Sequence, residues 1–257
     1  MPSPIIIVGI GELGSVFARA FLKSGYPVQP VTRAIPMQSI ADKINNPTAV
    51  LIAVGEGDIH NTLADCPKEW INDVILIQNE LLPRDWKDTI IKDPTVISVW
   101  FEKKKGMDSK VLLPSPVFGK HSKLIFDSLS TLDLPCVQLD SLQELEYELV
   151  KKNCYILTTN IAGLQVGGNV ENLAKNHRAL MLDVLNDVIN IQDELTNSTN
   201  DREKLTQGML EAFESDPLHN CMGRSAPIRL KRALEIARAK NIPTKTLDRI
   251  AKEYLVK

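Results

Sequence analysis

The sequence is poor in the residues that build most metal and thiol sites, with 4 cysteines and 4 histidines among 257 residues. The cysteines, Cys66, Cys136, Cys154 and Cys221, include no C-x-x-C pair, and no two histidines have the H-x-x-x-H spacing. Zinc sites and thiol redox centres depend on such spacings. The sequence therefore predicts no metal site and favours reduced thiols.

Long apolar runs and an excess of positive charge are also missing. A membrane-spanning helix needs about 18 or more consecutive apolar residues, and no stretch approaches that length. The apolar run at 5–8 is too short for the core of a signal peptide. A formal net charge of −2 does not favour binding to a nucleic-acid backbone. We expect a cytoplasmic protein that has neither a membrane nor a nucleic acid as its partner.

The composition that remains is that of a globular protein. Hydrophobic residues make up 44% of the chain and charged residues 24%, which is enough apolar material for a packed core. The length allows two domains of ordinary size.

The most informative stretch is Gly9-Ile10-Gly11-Glu12-Leu13-Gly14, a G-x-G-x-x-G motif. It follows a continuously apolar, β-branched run at 5–8, which is typical of a buried parallel strand. Apolar residues at helical spacing follow it up to Phe21, and a second short strand is predicted over 27–31. The glycines therefore lie inside a βαβ unit, as in dinucleotide-binding proteins.

In that setting each glycine has its own role. Gly9 permits a tight turn, Gly11 lets the backbone approach a pyrophosphate, and Gly14 lets the helix pack against the strand. The backbone N–H groups at the helix start, where Glu12 and Leu13 lie, would bind the phosphates. The alternative is a tight turn without a ligand.

The residues after the second predicted strand indicate which dinucleotide is bound. An Asp or Glu at this point would bind the ribose hydroxyls of NAD. The chain has Thr32 and Arg33 instead, and a hydroxyl with a guanidinium suits the 2′-phosphate of NADP. We predict NADP, as NADPH, to be the cofactor, the alternative being an Arg33 that is only surface-exposed.

The β pattern continues after this unit. Strands are predicted over 49–54, 74–77, 95–99, 110–114 and 117–118, with a helix over 124–132. Ligands of doubly wound sheets bind beyond the carboxyl ends of the strands. Asn79, which follows the strand at 74–77, is therefore a candidate cofactor contact, with a simple turn role as the alternative.

Beyond Asp140 the pattern becomes helical. The predicted fold class is thus α/β, with a Rossmann-type doubly wound parallel sheet over 1–139 followed by an all-α domain over 140–257. We expect the first domain to bind NADP and the second to bind substrate.

The helix predicted over 142–164 carries polar residues on its apolar side. Its apolar face is formed by Leu142, Leu145, Leu149 and Ile156. Asn153 and Asn160 fall in the middle of this face, and Lys152 lies at its edge. Because buried polar groups need partners, the two asparagines either bond to neighbouring backbone or line a groove that receives substrate, with Lys152 at its rim.

The remaining sequence predicts further helices. One covers 169–191, and a polar loop at 197–203 caps another that begins near Asp201. Gly223-Arg224-Ser225 precede a helix over 228–239. Because N–H groups, a hydroxyl and a guanidinium converge there, Arg224 and Ser225 are candidate contacts for a substrate carboxylate. Ordinary helix capping is the alternative.

Taken in order, these motifs resemble one family. "IIIVGIGELG", Thr32-Arg33, "QNE", "PSPVFGK", "VKKNCYILTTNIAGL" and "ARAKNIP" together resemble the ketopantoate reductases, NADPH-dependent 2-dehydropantoate 2-reductases of pantothenate biosynthesis, over nearly the whole chain.

The resemblance implies a mechanism. The family's catalytic lysine, followed eight residues later by an asparagine, matches Lys152 and Asn160, and its Q-N-G turn near the nicotinamide matches Gln78 and Asn79, with Glu80 replacing the glycine. It implies that NADPH gives a hydride to the ketone carbon of a small 2-oxo acid. Lys152 would then donate the proton and Asn160 would orient the substrate.

Two positions depart from the family. Ile156 replaces an asparagine, and Ser225 stands where the family has a substrate-binding glutamate. Three hypotheses follow: a reductase of ketopantoate or a related ketone, a non-catalytic NADP-binding redox sensor or interaction protein, and another two-domain dehydrogenase of the β-hydroxyacid or opine type. The apolar face of the helical domain is also compatible with a homodimer, which periodicity does not distinguish from a core.

Overall fold

A computed structural model describes residues 2–255 of the chain. The strands in this range are β1 (Ile5–Val8), β2 (Val28–Val31), β3 (Ala49–Ile52), β4 (Val74–Leu76), β5 (Thr95–Ile97), β6 (Phe101–Glu102), β7 (Lys110–Val111), β8 (Ser115–Phe118) and β9 (Cys136–Gln138). Seven of them form one sheet in the order β2-β1-β3-β4-β5-β8-β9. Neighbouring strands are parallel except β5 and β8. The predicted doubly wound, mainly parallel sheet is confirmed.

Two details of the sheet differ from the sequence-based prediction. The strand predicted over 110–114 is the shorter β7, which pairs with β6 in a separate hairpin and not in the sheet. The sheet instead ends in β9, which the pattern did not predict. β9 is an edge strand with exposed positions, so it lacks the continuous apolar run by which the central strands are identified.

Five helices of the described range connect these strands. They are α1 (Glu12–Lys23), α2 (Met37–Ala41), α3 (Ile59–Ala64), α4 (Arg84–Lys87) and α5 (Ser122–Ser130). β1 is buried along its whole length, and α1 packs on the sheet through Phe17 and Phe21, both fully buried. α1 is followed by Gly25 at φ +85, the left-handed conformation common just after the end of a helix. This packing fixes the turn between β1 and α1.

The later part of the chain is helical, as predicted. Its helices are α6 (Leu142–Val166), α7 (Val170–Asn176), α8 (Arg178–Thr196), α9 (Arg202–Ser215), α10 (Ala226–Ala239) and α11 (Lys245–Tyr254). The cap at Asp201 is confirmed, since its Oδ1 accepts a hydrogen bond from the Lys204 N–H at 3.0 Å. The single helix predicted over 169–191 is wrong, because the chain breaks at His177 into α7 and α8.

The environment of α6 also differs from the prediction. Every residue from 153 to 163 is buried, so this part of α6 is covered on all sides and not along one face. The first turn is different, since Leu142, which was predicted to lie on the apolar face, is 52% exposed. A helical segment covered on all sides buries its polar positions together with its apolar ones.

The chain divides into two compact units, one up to Leu149 and one from Val150 onward. The predicted boundary between 139 and 140 lies in the link between β9 and α6, whereas the units divide within α6. Domain limits of 1–139 and 140–257 therefore stay a prediction. Among residues 2–255, no helix combines the length and apolarity needed to cross a membrane.

Candidate functional site

A cleft of about 930 Å³ opens at the carboxyl ends of β1, β2 and β3. The glycine turn after β1 lines one side, and Thr32 and Arg33 after β2 line another. Ile35, Pro36 and Met37 add an apolar wall. Parallel sheets of this type bind their ligands at this edge, so the structure brings the glycine motif and the Thr32-Arg33 pair into one cavity.

The three motif glycines differ in what surrounds them. Gly9 has φ +96, and a Cβ there would lie 2.7 Å from the Ala53 carbonyl oxygen. A Cβ on Gly14 would clash with the Gly9 carbonyl oxygen. Gly11 is different, because a Cβ there would meet no atom of the described chain within 4 Å. Packing of the protein thus explains Gly9 and Gly14 but does not require a glycine at position 11, which leaves room there for the close approach of a ligand.

The start of α1 is suited to an anion. Gly11 is the N-cap residue and makes no side-chain cap, so the first N–H groups, which lack partners within any helix, receive none from a capping side chain. Free N–H groups at the positive end of a helix dipole are suited to bind phosphate. Glu12 and Leu13 are the first two residues of α1, so their N–H groups lie in its first turn; their contact with phosphate stays a prediction.

Arg33 and Asp58 form an ion pair at the mouth of the cleft. Arg33 Nη2 lies 3.1 Å from Asp58 Oδ2, and the two side chains are 95% and 53% exposed. Thr32 is exposed next to them. The sequence did not predict the pairing of Asp58 with Arg33, because it joins the loops after two different strands, 25 residues apart.

The loop after β4 carries Gln78, Asn79 and Glu80. Gln78 is buried and ties β4 to β3, since its Nε2 donates to the carbonyl oxygens of Ile52 at 2.7 Å and Val54 at 3.4 Å. Asn79 is half-buried directly after it. Glu80 has φ +59, a left-handed conformation that favours glycine. The backbone at position 80 thus has a conformation typical of glycine, although the residue there is a glutamate.

In the helical unit, Asn160 pairs with an arginine that the sequence did not single out. Asn160 is 8% exposed, and its Oδ1 accepts a hydrogen bond from Arg229 Nη1 at 3.2 Å. A Cβ on Gly223 would lie 3.9 Å from the same oxygen. α6 and the first turn of α10 therefore bring together an amide, a half-buried guanidinium and a glycine turn.

Other predicted residues of this unit are placed less favourably for binding. Asn153 is 3% exposed, and its Nδ2 donates to Gln192 Oε1 at 3.0 Å, so a neighbouring helix satisfies it. Ser225 is half-buried at the start of α10 but makes no side-chain cap, and Arg224 is exposed. Lys152 is half-buried on α6, as is Lys151. The amide of Asn153 thus has a structural explanation.

No cluster of histidine, cysteine or acidic side chains suited to a metal ion is found within residues 2–255. The four cysteines are free thiols. Burial raises the pKa of Cys66 and of Cys136 to about 12 and that of Cys221 to about 11. These thiols are therefore protonated and weakly nucleophilic at neutral pH.

The sheet, the glycine turn and the cleft define a dinucleotide-binding fold followed by a helical unit. No protein-family model matches the sequence, and neither does any curated protein. Solved structures do match. A D-mandelate dehydrogenase solved with NADH has 15% sequence identity and a TM-score of 0.69, covering 98% of this chain and 97% of that one.

Ketopantoate reductases match equally well. That of Ralstonia eutropha JMP134 has 12% identity and a TM-score of 0.70, and the dimeric enzyme of Staphylococcus aureus has 15% identity and a TM-score of 0.64. Each comparison covers 98% of this chain and 97% of the other. At these identities the likeness establishes the fold, so the resemblance noted in the motifs is confirmed at that level.

Proposed function

We propose that this protein is an NADPH-dependent reductase of a small 2-oxo acid. The observation that carries the proposal is Gly11, a glycine that the packing of the chain does not require. It opens the N-terminus of α1 toward a cleft of about 930 Å³, large enough for much of a nucleotide. The matching solved structures include a D-mandelate dehydrogenase with NADH and a ketopantoate reductase.

The cleft residues fit a dinucleotide phosphate. The N–H groups of Glu12 and Leu13 would bind the pyrophosphate, Thr32 and Arg33 the 2′-phosphate, and the wall at 35–37 the adenine. Asn79 follows β4 at the same edge of the sheet and would bind the nicotinamide half. When bound, NADPH supplies a hydride for the ketone carbon of the substrate.

The helical unit would provide the acid and the substrate contacts. Lys152 would donate a proton to the carbonyl oxygen, which gains negative charge as the ketone is reduced. Asn160 lies eight residues further along α6, about 12 Å along the helix axis, and would orient the substrate. Lysine suits the role because its ammonium carries both the proton and the positive charge.

Arg229 extends this proposal toward the substrate's carboxylate. A guanidinium binds carboxylates through two parallel hydrogen bonds, and the bond to Asn160 holds Arg229 beside the amide that would contact the substrate. Ser225 and Arg224 precede it in the chain and would add a hydroxyl and a second guanidinium. We assign no substrate contact to Asn153, because its side-chain amide already donates to Gln192.

The test is NADPH consumption by the purified protein with ketopantoate, phenylglyoxylate and a panel of aliphatic 2-oxo acids. Lys152→Ala should reduce kcat by at least about a hundredfold with NADPH affinity retained. Lys151→Ala, a neighbouring half-buried lysine, is the matched control. Equal activity of the two variants would remove Lys152 from the mechanism.

A second candidate is a non-catalytic NADP-binding protein that serves as a redox sensor or interaction partner. It is favoured by Ile156, which is buried at 8% exposure where the resembled family has an asparagine, and by Ser225 in place of a carboxylate. Tight NADPH binding without turnover on any acid of the panel would support this candidate against the reductase. Homodimerisation and a cytoplasmic location stay predictions from sequence.

A further inference from the structure

Asp58 does not cap the helix that it precedes. It is the N-cap residue of α3, where an aspartate ordinarily accepts hydrogen bonds from the first helical turn, yet its side chain makes no such bond. The backbone is fixed, because the Asp58 N–H donates to the Gly55 carbonyl at 3.0 Å and its carbonyl accepts from Thr62. The carboxylate is directed to Arg33 instead, at 3.1 Å.

The ion pair holds Arg33 only weakly. Arg33 is 95% exposed and Asp58 53% exposed, and solvated pairs of this kind contribute little to stability. Both residues line the same cleft. A phosphate can therefore displace the carboxylate from the guanidinium, but the negative charge of Asp58 stays close to it.

We propose that Asp58 is a specificity-determining residue that lowers the preference of this cleft for NADPH over NADH. This inference rests on the proposed function. A phosphate held by Arg33 lies roughly two hydrogen-bond lengths from the carboxylate, so the two anions repel each other. NADH has a hydroxyl in place of the phosphate and avoids that repulsion. A carboxylate also accepts hydrogen bonds from ribose hydroxyls, so the pair serves both cofactors.

The effect is large enough to measure. Between a carboxylate and a doubly charged phosphate about 6 Å apart in water-like surroundings, the repulsion corresponds to roughly a three- to tenfold change in affinity. Asp58→Asn removes the charge and keeps the shape of the side chain. It should lower the Kd of NADPH by that factor and leave the Kd of NADH unchanged or raised. Arg33→Ala should raise the Kd of NADPH about tenfold and change the Kd of NADH little.

The experiment is a set of fluorescence titrations with NADPH and with NADH. The control is Asp127→Asn, which removes an equal charge from a matched pair: Asp127 lies 2.9 Å from Lys123, is 51% exposed and belongs to α5, outside the cleft. A selective gain in NADPH affinity for Asp58→Asn alone supports the proposal.

Three results would overturn it. If the wild type binds NADPH but Asp58→Asn leaves the ratio of the two Kd values unchanged, or if Asp127→Asn shifts that ratio equally, Asp58 has no such role and the proposed function stands. If the wild type binds neither dinucleotide, the proposed function fails and this inference fails with it.

Discussion

Substitutions of the motif glycines test protein stability and cofactor binding separately, one residue at a time. Gly14→Ala should lower the free energy of unfolding by about 1–3 kcal/mol, because its Cβ would clash with the Gly9 carbonyl. Gly11→Ala meets only open space, so it should change stability by less than about 1 kcal/mol while weakening NADPH binding at least tenfold. Urea unfolding and NADPH titration measure both quantities. Normal NADPH affinity in Gly11→Ala would contradict the phosphate site.

Glu80 offers a second test at a single residue. Its φ of +59 is costly for a residue with a Cβ, so Glu80→Gly should raise the free energy of unfolding by about 0.5–1 kcal/mol, the gain being reduced by the greater freedom of glycine in the unfolded chain. Glu80→Val is the opposite control: valine tolerates a positive φ poorly, so this variant should be less stable than the wild type. A destabilised glycine variant would show that contacts of the Glu80 side chain outweigh the strain.

Between elements, His121 links the end of β8 to the chain before β4. Its Nε2 lies 2.9 Å from Asp73 Oδ1. Burial lowers the pKa of His121, and Asp73 opposes the shift only in part. Because the folded pKa lies below the unfolded one, this group's contribution to stability is complete above about pH 6.5 and is lost as pH falls through the folded pKa.

The prediction is therefore that His121→Gln loses less stability than the wild type between about pH 7.5 and about pH 5.5. Urea unfolding at both pH values gives the change in the free energy of unfolding for each protein. Because each protein is compared with itself, any stability that the substitution costs at the higher pH cancels. Equal losses in the two proteins would mean that His121 does not contribute to the acid sensitivity.

The sequence predicts elements well where one local pattern dominates. β1 and α1 follow from a continuous apolar run and from apolar residues at helical spacing. β9 and the break at His177 do not, because an exposed edge strand and a change of helix direction leave little apolar pattern. The Asn160–Arg229 bond joins residues 69 apart in the chain, so only the folded structure reveals it. The glycine turn was predictable because its roles depend on consecutive residues.

For the whole molecule, the two compact units allow an optical test of where the cofactor acts. All three tryptophans, Trp70, Trp86 and Trp100, are buried in the first unit, so their fluorescence reports its unfolding alone. Far-UV circular dichroism is dominated by helices, most of which lie in the second unit.

NADPH at about 100 times its Kd should stabilise the unit that binds it by about 2.7 kcal/mol, or roughly 5–10 °C in Tm. We expect the Tm seen by fluorescence to rise by that amount and the Tm seen by dichroism to rise less. The reason is that the proposed phosphate site at Gly11 and the Arg33–Asp58 pair both belong to the first unit. The control is the same measurement in buffer that contains adenine in place of NADPH. Equal shifts in both signals would show instead that the two units unfold as one cooperative whole, stabilised throughout by the cofactor.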